Sequence, residues 1–245
     1  MSVSLKGKTA LVTGSSRGIG RAIAERLAAD GAAVVINYTR NEQPAQVVVN
    51  NILGKGGKAI AIQADMSQPA EVRRLFSEAE KEMGQLDIVV ANAGVYIMKP
   101  FIENTEADYD YIFGINTKGV FFTLQEAARR VREGGRIVVV STGGTKMLFP
   151  NNSIYLGSKG AIEQFARSLA IELGPRNVTV NVLSPGFTDT DMMPEEYREY
   201  AASLSPFKRV GTPEDVAEVA AFLASDAARW VTGQNLQAGG GVVSS

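Results

Sequence analysis

Residues 9–20 read Thr9-Ala10-Leu11-Val12-Thr13-Gly14-Ser15-Ser16-Arg17-Gly18-Ile19-Gly20. The first five residues form a short apolar and β-branched run, the pattern of a buried strand. From Gly18 onward, Ile19, Ile23 and Leu27 fall on one stripe and predict a helix over residues 18–30. Gly14, Gly18 and Gly20 sit where the strand turns into the helix. Glycine there permits a tight turn and lets a ligand come close to the backbone. The helix start adds free N–H groups and the positive end of a dipole, which together suit a phosphate. A plain connecting turn is the other reading of a glycine triplet seen alone.

The same alternation continues along the chain. Strands are predicted at residues 34–37, 59–63, 86–91, 136–141, 178–183 and 234–238. Helices are predicted at 44–53, 69–83, 108–131, 153–173 and 213–224. Strand–helix alternation of this kind predicts an α/β fold, a doubly wound parallel sheet covered by helices on both faces. No linker, repeat or low-complexity tract interrupts it, so residues 1–245 read as a single dinucleotide-binding domain. The one long irregular stretch, residues 187–209, reads as a lid or binding loop.

Composition narrows the chemistry. The 245 residues include no histidine and no cysteine. That excludes a Ser-His-Asp triad, a Cys-His pair, His-ligated zinc and thiolate chemistry. Catalysis is left to Tyr, Lys, Ser, Thr, Asn, carboxylates or a cofactor. A net charge of -1 gives no general pull toward nucleic acid or an anionic membrane. Residues 1–8 are polar, and no window reaches the roughly 18 apolar residues of a spanning helix. The expectation is a soluble, cytoplasmic protein.

Thr13-Gly14-x-x-x-Gly18-x-Gly20 has a wider spacing than Gly-x-Gly-x-x-Gly. With Asn92-Ala93-Gly94, Tyr155-x-x-x-Lys159 and Pro185-Gly186 following in order, the chain resembles the short-chain dehydrogenase/reductase family from residue 8 to residue 240. The resemblance implies a Rossmann fold, a nicotinamide cofactor, hydride transfer between that cofactor and a small-molecule carbonyl or alcohol, and a homotetramer. Two departures stand out: Ala91 replaces the first of two asparagines before Ala-Gly, and Ala238 replaces an Asp before Gly239-Gly240.

NADP(H) is the expected cofactor. An acid after the second strand would bind a 2′-hydroxyl and repel a 2′-phosphate. Here the segment is Asn37-Tyr38-Thr39-Arg40, and Arg17 and Arg40 can both offer forked donors to a phosphate. Either arginine can instead be a solvated surface charge. The resemblance adds Ser16 and Ile19 in the turn, Asp65 and Met66 near the adenine, and Asn92, Ala93 and Gly94 along the ribose. Pro185, Gly186, Thr188 and Thr190 follow near the carboxamide or pyrophosphate.

Tyr155 and Lys159 are four apart, on one face of a helix. An ammonium nearby would lower the phenol from its ordinary pKa of about 10. A tyrosine tuned in that way exchanges a proton with a carbonyl oxygen. The resemblance makes Tyr155 the proton donor, gives Lys159 the nicotinamide ribose, and implies that Asn116 orders a water leading to the lysine. It also asks for a hydroxyl after the strand ending at Val140. Ser141, fourteen residues before Tyr155, matches the naphthol-reductase branch; Thr142, thirteen before, matches many other members. Ser141 is the choice made from the sequence, with Thr142 as the alternative.

Val95, Tyr96, Met98, Gly143, Gly144, Met147, Leu148, Phe149, Phe187, Met192 and Met193 are candidate pocket walls. An apolar, Met-containing lining fits a bulky aryl or polycyclic ketone. One alternative is a 3-oxoacyl-carrier-protein reductase, with Arg129, Arg130, Arg132 and Arg176 as a basic docking face. A non-catalytic NADP(H)-binding sensor is the other.

Overall fold

Adjacent residues on the central strands serve two different cores. In the computed structural model, which describes residues 4–243, the strands are β1 (Thr9–Val12), β2 (Ala33–Tyr38), β3 (Lys58–Gln63), β4 (Ile88–Ala91), β5 (Arg136–Val140), β6 (Thr179–Pro185) and β7 (Asn235–Ala238). They form one parallel sheet in the order β3-β2-β1-β4-β5-β6-β7. The helices are α1 (Gly18–Ala29), α2 (Glu42–Gly54), α3 (Pro69–Met83), α4 (Glu106–Phe113), α5 (Val120–Arg130), α6 (Ser153–Leu173), α7 (Arg198–Leu204) and α8 (Pro213–Leu223). Residues 1–3, part of the polar N-terminus, and residues 244–245 lie outside the described residues.

Ala10, Val12, Ile88, Val90, Val138 and Val140 pack with α1, α2 and α8 on one face. Leu11, Val89, Ala91, Ile137 and Val139 pack with α3, α5 and α6 on the other. This period-two division explains why the strands read as continuous apolar runs: both faces are covered. Among the described residues no helix is long and apolar enough to cross a membrane.

The chain winds outward from β1 to β3, then starts again at β4 and winds the other way to β7. A crevice opens at the C-terminal ends of β1 and β4, where the direction reverses. Residues 14–20 leave β1 there and residues 92–95 leave β4 beside them.

Two segments differ from the sequence reading. The helix expected over residues 108–131 is α4 and α5 joined by a π-helical segment, Gly114–Gly119. Its end packs closely on the loop after β3: a Cβ on Gly119 would lie 2.4 Å from the Met66 carbonyl oxygen. Residues 187–209 are not structureless either; they hold the 3-10 turn Glu195–Tyr197 and α7. In α7 only Ala201 is buried, so the apolar period is too weak to read.

Candidate active site

The glycine turn is locked from two sides. Gly14 and Gly18 have φ of 61° and 54°, left-handed values that favour glycine. A Cβ on Gly14 would lie 2.8 Å from Ala93 Cα, and one on Gly20 would lie 2.4 Å from Asn92 Nδ2. The Thr13 hydroxyl accepts from the amides of Asn92 and Ala93, each at 3.0 Å. Asn92 Nδ2 donates to the carbonyls of Thr13 and Gly14 at 2.9 and 3.1 Å. Asn37 Oδ1 accepts from Gly14 N at 3.0 Å, and its Nδ2 donates to Ala64 O at 3.2 Å. Asn37 is fully buried. Its side chain therefore shapes the turn from beneath. No side chain caps α1, and its first turn carries no acid. Uncapped N–H groups, glycines at close-approach positions and a partly exposed Ser16 form a cradle that fits the phosphates of a dinucleotide.

Around that cradle, Ile19 lines the adjoining pocket, and the Thr190 methyl lies 3.5 Å from where a Gly18 Cβ would be. Arg17 is exposed and pairs with Asp191 at 3.2 Å. Thr39 and Arg40 are exposed and Tyr38 is partly buried; Arg40 makes no ion pair among the described residues. Asp65 Oδ1 accepts from Ser67 N at 2.9 Å, a local turn contact, while Met66 is buried. Pro185 and Gly186 pass under Gly239, which a Cβ on Gly186 would approach within 2.7 Å. The Thr188 hydroxyl donates to Gly186 O at 3.1 Å and is buried.

Tyr155 lies in the first turn of α6 with Lys159 one turn later, both facing the crevice. Lys159 is buried and its Nζ donates to Val140 O at 2.9 Å, at the end of β5. Its Nζ lies 6.0 Å from the Tyr155 ring centroid. Asn116, in the π segment, is fully buried. Its Oδ1 accepts from Val95 N at 2.8 Å, and its Nδ2 donates to Val95 O at 2.9 Å and to Ser158 Oγ at 3.1 Å. Ser158 in turn donates to Tyr155 O at 2.6 Å. Positions where Gly94 would carry a Cβ come within 3.3 Å of Lys159 Nζ and 3.4 Å of Asn116 Oδ1. Thus four segments distant in sequence converge.

The hydroxyl partner is where the structure departs most from the sequence reading. Ser141 Oγ donates to Glu163 Oε1 at 2.8 Å and is buried. The Thr142 hydroxyl instead stands beside the Tyr155 phenol, and its hydrogen bond favours the phenolate. Thr142 Oγ1 also accepts from Gly144 N at 3.2 Å, so its one proton is the one directed at the phenol. The reason is that Glu163, one turn beyond Lys159, takes the single proton that Ser141 can give. Glu163 and Ser158 were missed from sequence, because each reads there as one more polar position on a helix.

The phenol's acidity also differs from expectation. Burial is the largest influence and pushes Tyr155 up to about 12, opposed by Thr142 and reinforced by Tyr96. Burial likewise brings Lys159 down to about 8, opposed by the charge of Glu163. The lowering expected from Lys159 does not offset burial: the ammonium donates to Val140 O, and its Nζ stands 6.0 Å from the ring centroid.

Over Tyr155 opens a cavity of about 190 Å³. Tyr96 packs edge-on against Tyr155, centroids 4.9 Å apart at 88°. Met98, Met147, Phe149, Phe187, Met192 and Met193 form apolar walls, as the sequence led one to expect. Val95, Gly143 and Leu148 do not line it, and Leu148 is fully exposed. Tyr197, from the 3-10 turn, completes the outer wall and was not anticipated. The arginines proposed as a docking face are each paired: Arg129 and Arg130 with Glu126, Arg176 with Glu133, and Arg132 with Asp87 at 4.0 Å. Among the described residues no cluster of carboxylates could hold a metal ion.

Comparison with known proteins agrees with this architecture. The family model described as enoyl-(acyl carrier protein) reductase matches residues 14–243. A hydroxynaphthalene reductase-like protein of Metarhizium majus is 46% identical, over 98% of this chain and 96% of its own. A versicolorin reductase of Emericella nidulans is 44% identical, over 97% and 96%. The solved structure of an angucycline C-6 ketoreductase with bound NADP superposes with a TM-score of 0.94 at 42% identity, over 99% of this chain and 98% of that one. On its fold, its motifs and these relatives, the chain belongs to the short-chain dehydrogenase/reductase family of oxidoreductases.

Proposed function

We propose that this protein is an NADPH-dependent reductase that converts a bulky aryl or polycyclic ketone to a secondary alcohol, with Tyr155 as proton donor. The observation that carries the reading is the convergence of Tyr155 and Thr142 on the wall of an apolar cavity next to the glycine cradle, with Lys159 buried one helical turn behind Tyr155. The relatives named for hydroxynaphthalene, versicolorin and angucycline reduction point to the same substrate class.

Residues 14–20, with Asn92, Ala93, Gly94, Asp65 and Met66, would hold the dinucleotide, with Arg17, Thr39 and Arg40 at its 2′-phosphate. Pro185, Gly186, Thr188 and Thr190 would flank its nicotinamide end. When bound, the reduced nicotinamide supplies hydride to the carbonyl carbon. Thr142 donates a hydrogen bond to the carbonyl oxygen as negative charge develops there. Tyr155 is neutral at neutral pH because burial disfavours the phenolate, so its proton is present to be given to that oxygen. Lys159, whose Nζ lies 6.0 Å from the phenol ring, would favour the tyrosinate left behind once its ammonium turns from Val140 O. Asn116 holds residues 92–95 and the α6 backbone in register, so the donors meet one point.

Residues 187–209 act as the substrate loop, since Phe187, Met192, Met193 and Tyr197 form one wall. A cytoplasmic homotetramer belongs to the same reading. Carrier-protein docking is not favoured, because each arginine of that face already has a carboxylate partner. The test is turnover of a ketone panel with NADPH or NADH, comparing the wild type with Tyr155→Phe. Turnover of polycyclic ketones with NADPH, lost in the variant while the cofactor still binds, is the expected result. Preference for small charged keto acids would overturn the substrate assignment.

A further inference from the structure

We propose that Glu163 is a positioning residue: a buried carboxylate that serves as the counter-charge of Lys159 and, by engaging Ser141 and Thr145, leaves Thr142 as the hydroxyl facing the reacting oxygen. This rests on the reductase reading above.

Glu163 lies on α6 one turn beyond Lys159 and is buried. A buried carboxylate is costly unless it is paired or hydrogen-bonded. Its Oε1 accepts from Ser141 Oγ and from Thr145 Oγ1, each at 2.8 Å. Thr145 Oγ1 also lies 3.1 Å from Thr142 O, so the carboxylate anchors the turn that carries Thr142. Around Lys159 stand the Tyr155 phenol on its own helix, the Val140 carbonyl from β5, and Asn116 and Gly94 from the π segment and the loop after β4. Tyr96 faces the phenol from the same loop. Among these described groups Glu163 is the one anion, and its charge opposes the effect of burial on the lysine.

Glu163→Gln keeps an oxygen for Ser141 and Thr145 and removes only the charge. The cofactor-free protein, labelled with ¹³C at lysine Cε, is titrated by NMR, with Lys159 assigned through Lys159→Arg. Lys159 is expected to titrate about one pH unit lower in the variant, the scale of losing one nearby opposite charge. The alkaline limb of kcat/KM for ketone reduction is expected to move down with it, because the lysine loses its charge below the pH at which the phenol ionises. An unmoved titration would overturn the proposal and leave Glu163 a packing residue. A moved titration in a protein that reduces no ketone would support the counter-charge and overturn the reductase reading. If Glu163→Gln does not fold, Thr145→Val removes one donor from the carboxylate; Lys159 is then expected to titrate higher, and no change overturns the proposal.

Discussion

Asn116 and Val95 exchange two hydrogen bonds: the amide of Val95 donates to Asn116 Oδ1 at 2.8 Å, and Asn116 Nδ2 donates to the Val95 carbonyl at 2.9 Å. A side-chain amide here does the work of a strand partner beyond the end of β4. It is aimed there by the π segment, and Ser158 extends the link to the Tyr155 carbonyl. Asn116→Ala would leave both Val95 groups without a partner. A loss of about 2–4 kcal/mol in stability is expected, read from urea unfolding, together with reduced turnover. Unchanged stability would show that Val95 does not depend on this contact.

Tyr155→Phe removes the proton donor and little volume. Ketone reduction is expected to fall by roughly 10²–10⁴-fold, the scale of a lost general acid. Cofactor affinity, read by fluorescence titration, should stay near the wild-type value. A variant that retains most of its turnover would exclude Tyr155 as the donor.

Thr142 and Ser141 separate the two candidate hydroxyls. Because Ser141 is committed to Glu163, Thr142→Val is expected to lower kcat more than Ser141→Ala does, by about tenfold, the value of one hydrogen bond to a developing charge. Equal losses, or a greater loss at Ser141, would return the role to Ser141.

Arg17 and Arg40 decide cofactor choice in this reading. Arg17→Ala and Arg40→Ala should each raise KM for NADPH by about 10-fold, the scale of a charge-assisted hydrogen bond, and leave KM for NADH nearly unchanged. Arg17 is paired with Asp191 in the structure, so Asp191→Asn should tighten NADPH binding if that pair competes with the phosphate. Equal changes for the two cofactors would show that the arginines act on something other than the 2′-phosphate.

Gly14→Ala tests the cradle. The new Cβ would lie 2.8 Å from Ala93 Cα, a backbone atom, at a φ of 61°. The loop after β4 must then move. Loss of cofactor affinity is expected, measured by equilibrium binding; retained affinity would mean that the cradle lies elsewhere.

Much of this protein is determined by residues close together in the sequence. The β1 turn, the exact span of α3 and of α6, and the Tyr155–Lys159 pair follow from local periodicity and spacing, because a helix or a buried strand reads out within a few residues. The absence of histidine and cysteine narrowed the chemistry before any fold was considered. Tertiary structure alone decided which side of each polar residue is used. Asn37 turned under the glycines, Ser141 turned to Glu163 rather than to Tyr155, and α4 and α5 were joined by a π segment. For the two side chains the deciding partner is distant in sequence: 23 residues for Asn37 and Gly14, 22 for Ser141 and Glu163. A buried polar group must find a partner, and which one lies within reach is settled only when the sheet brings the strand ends together.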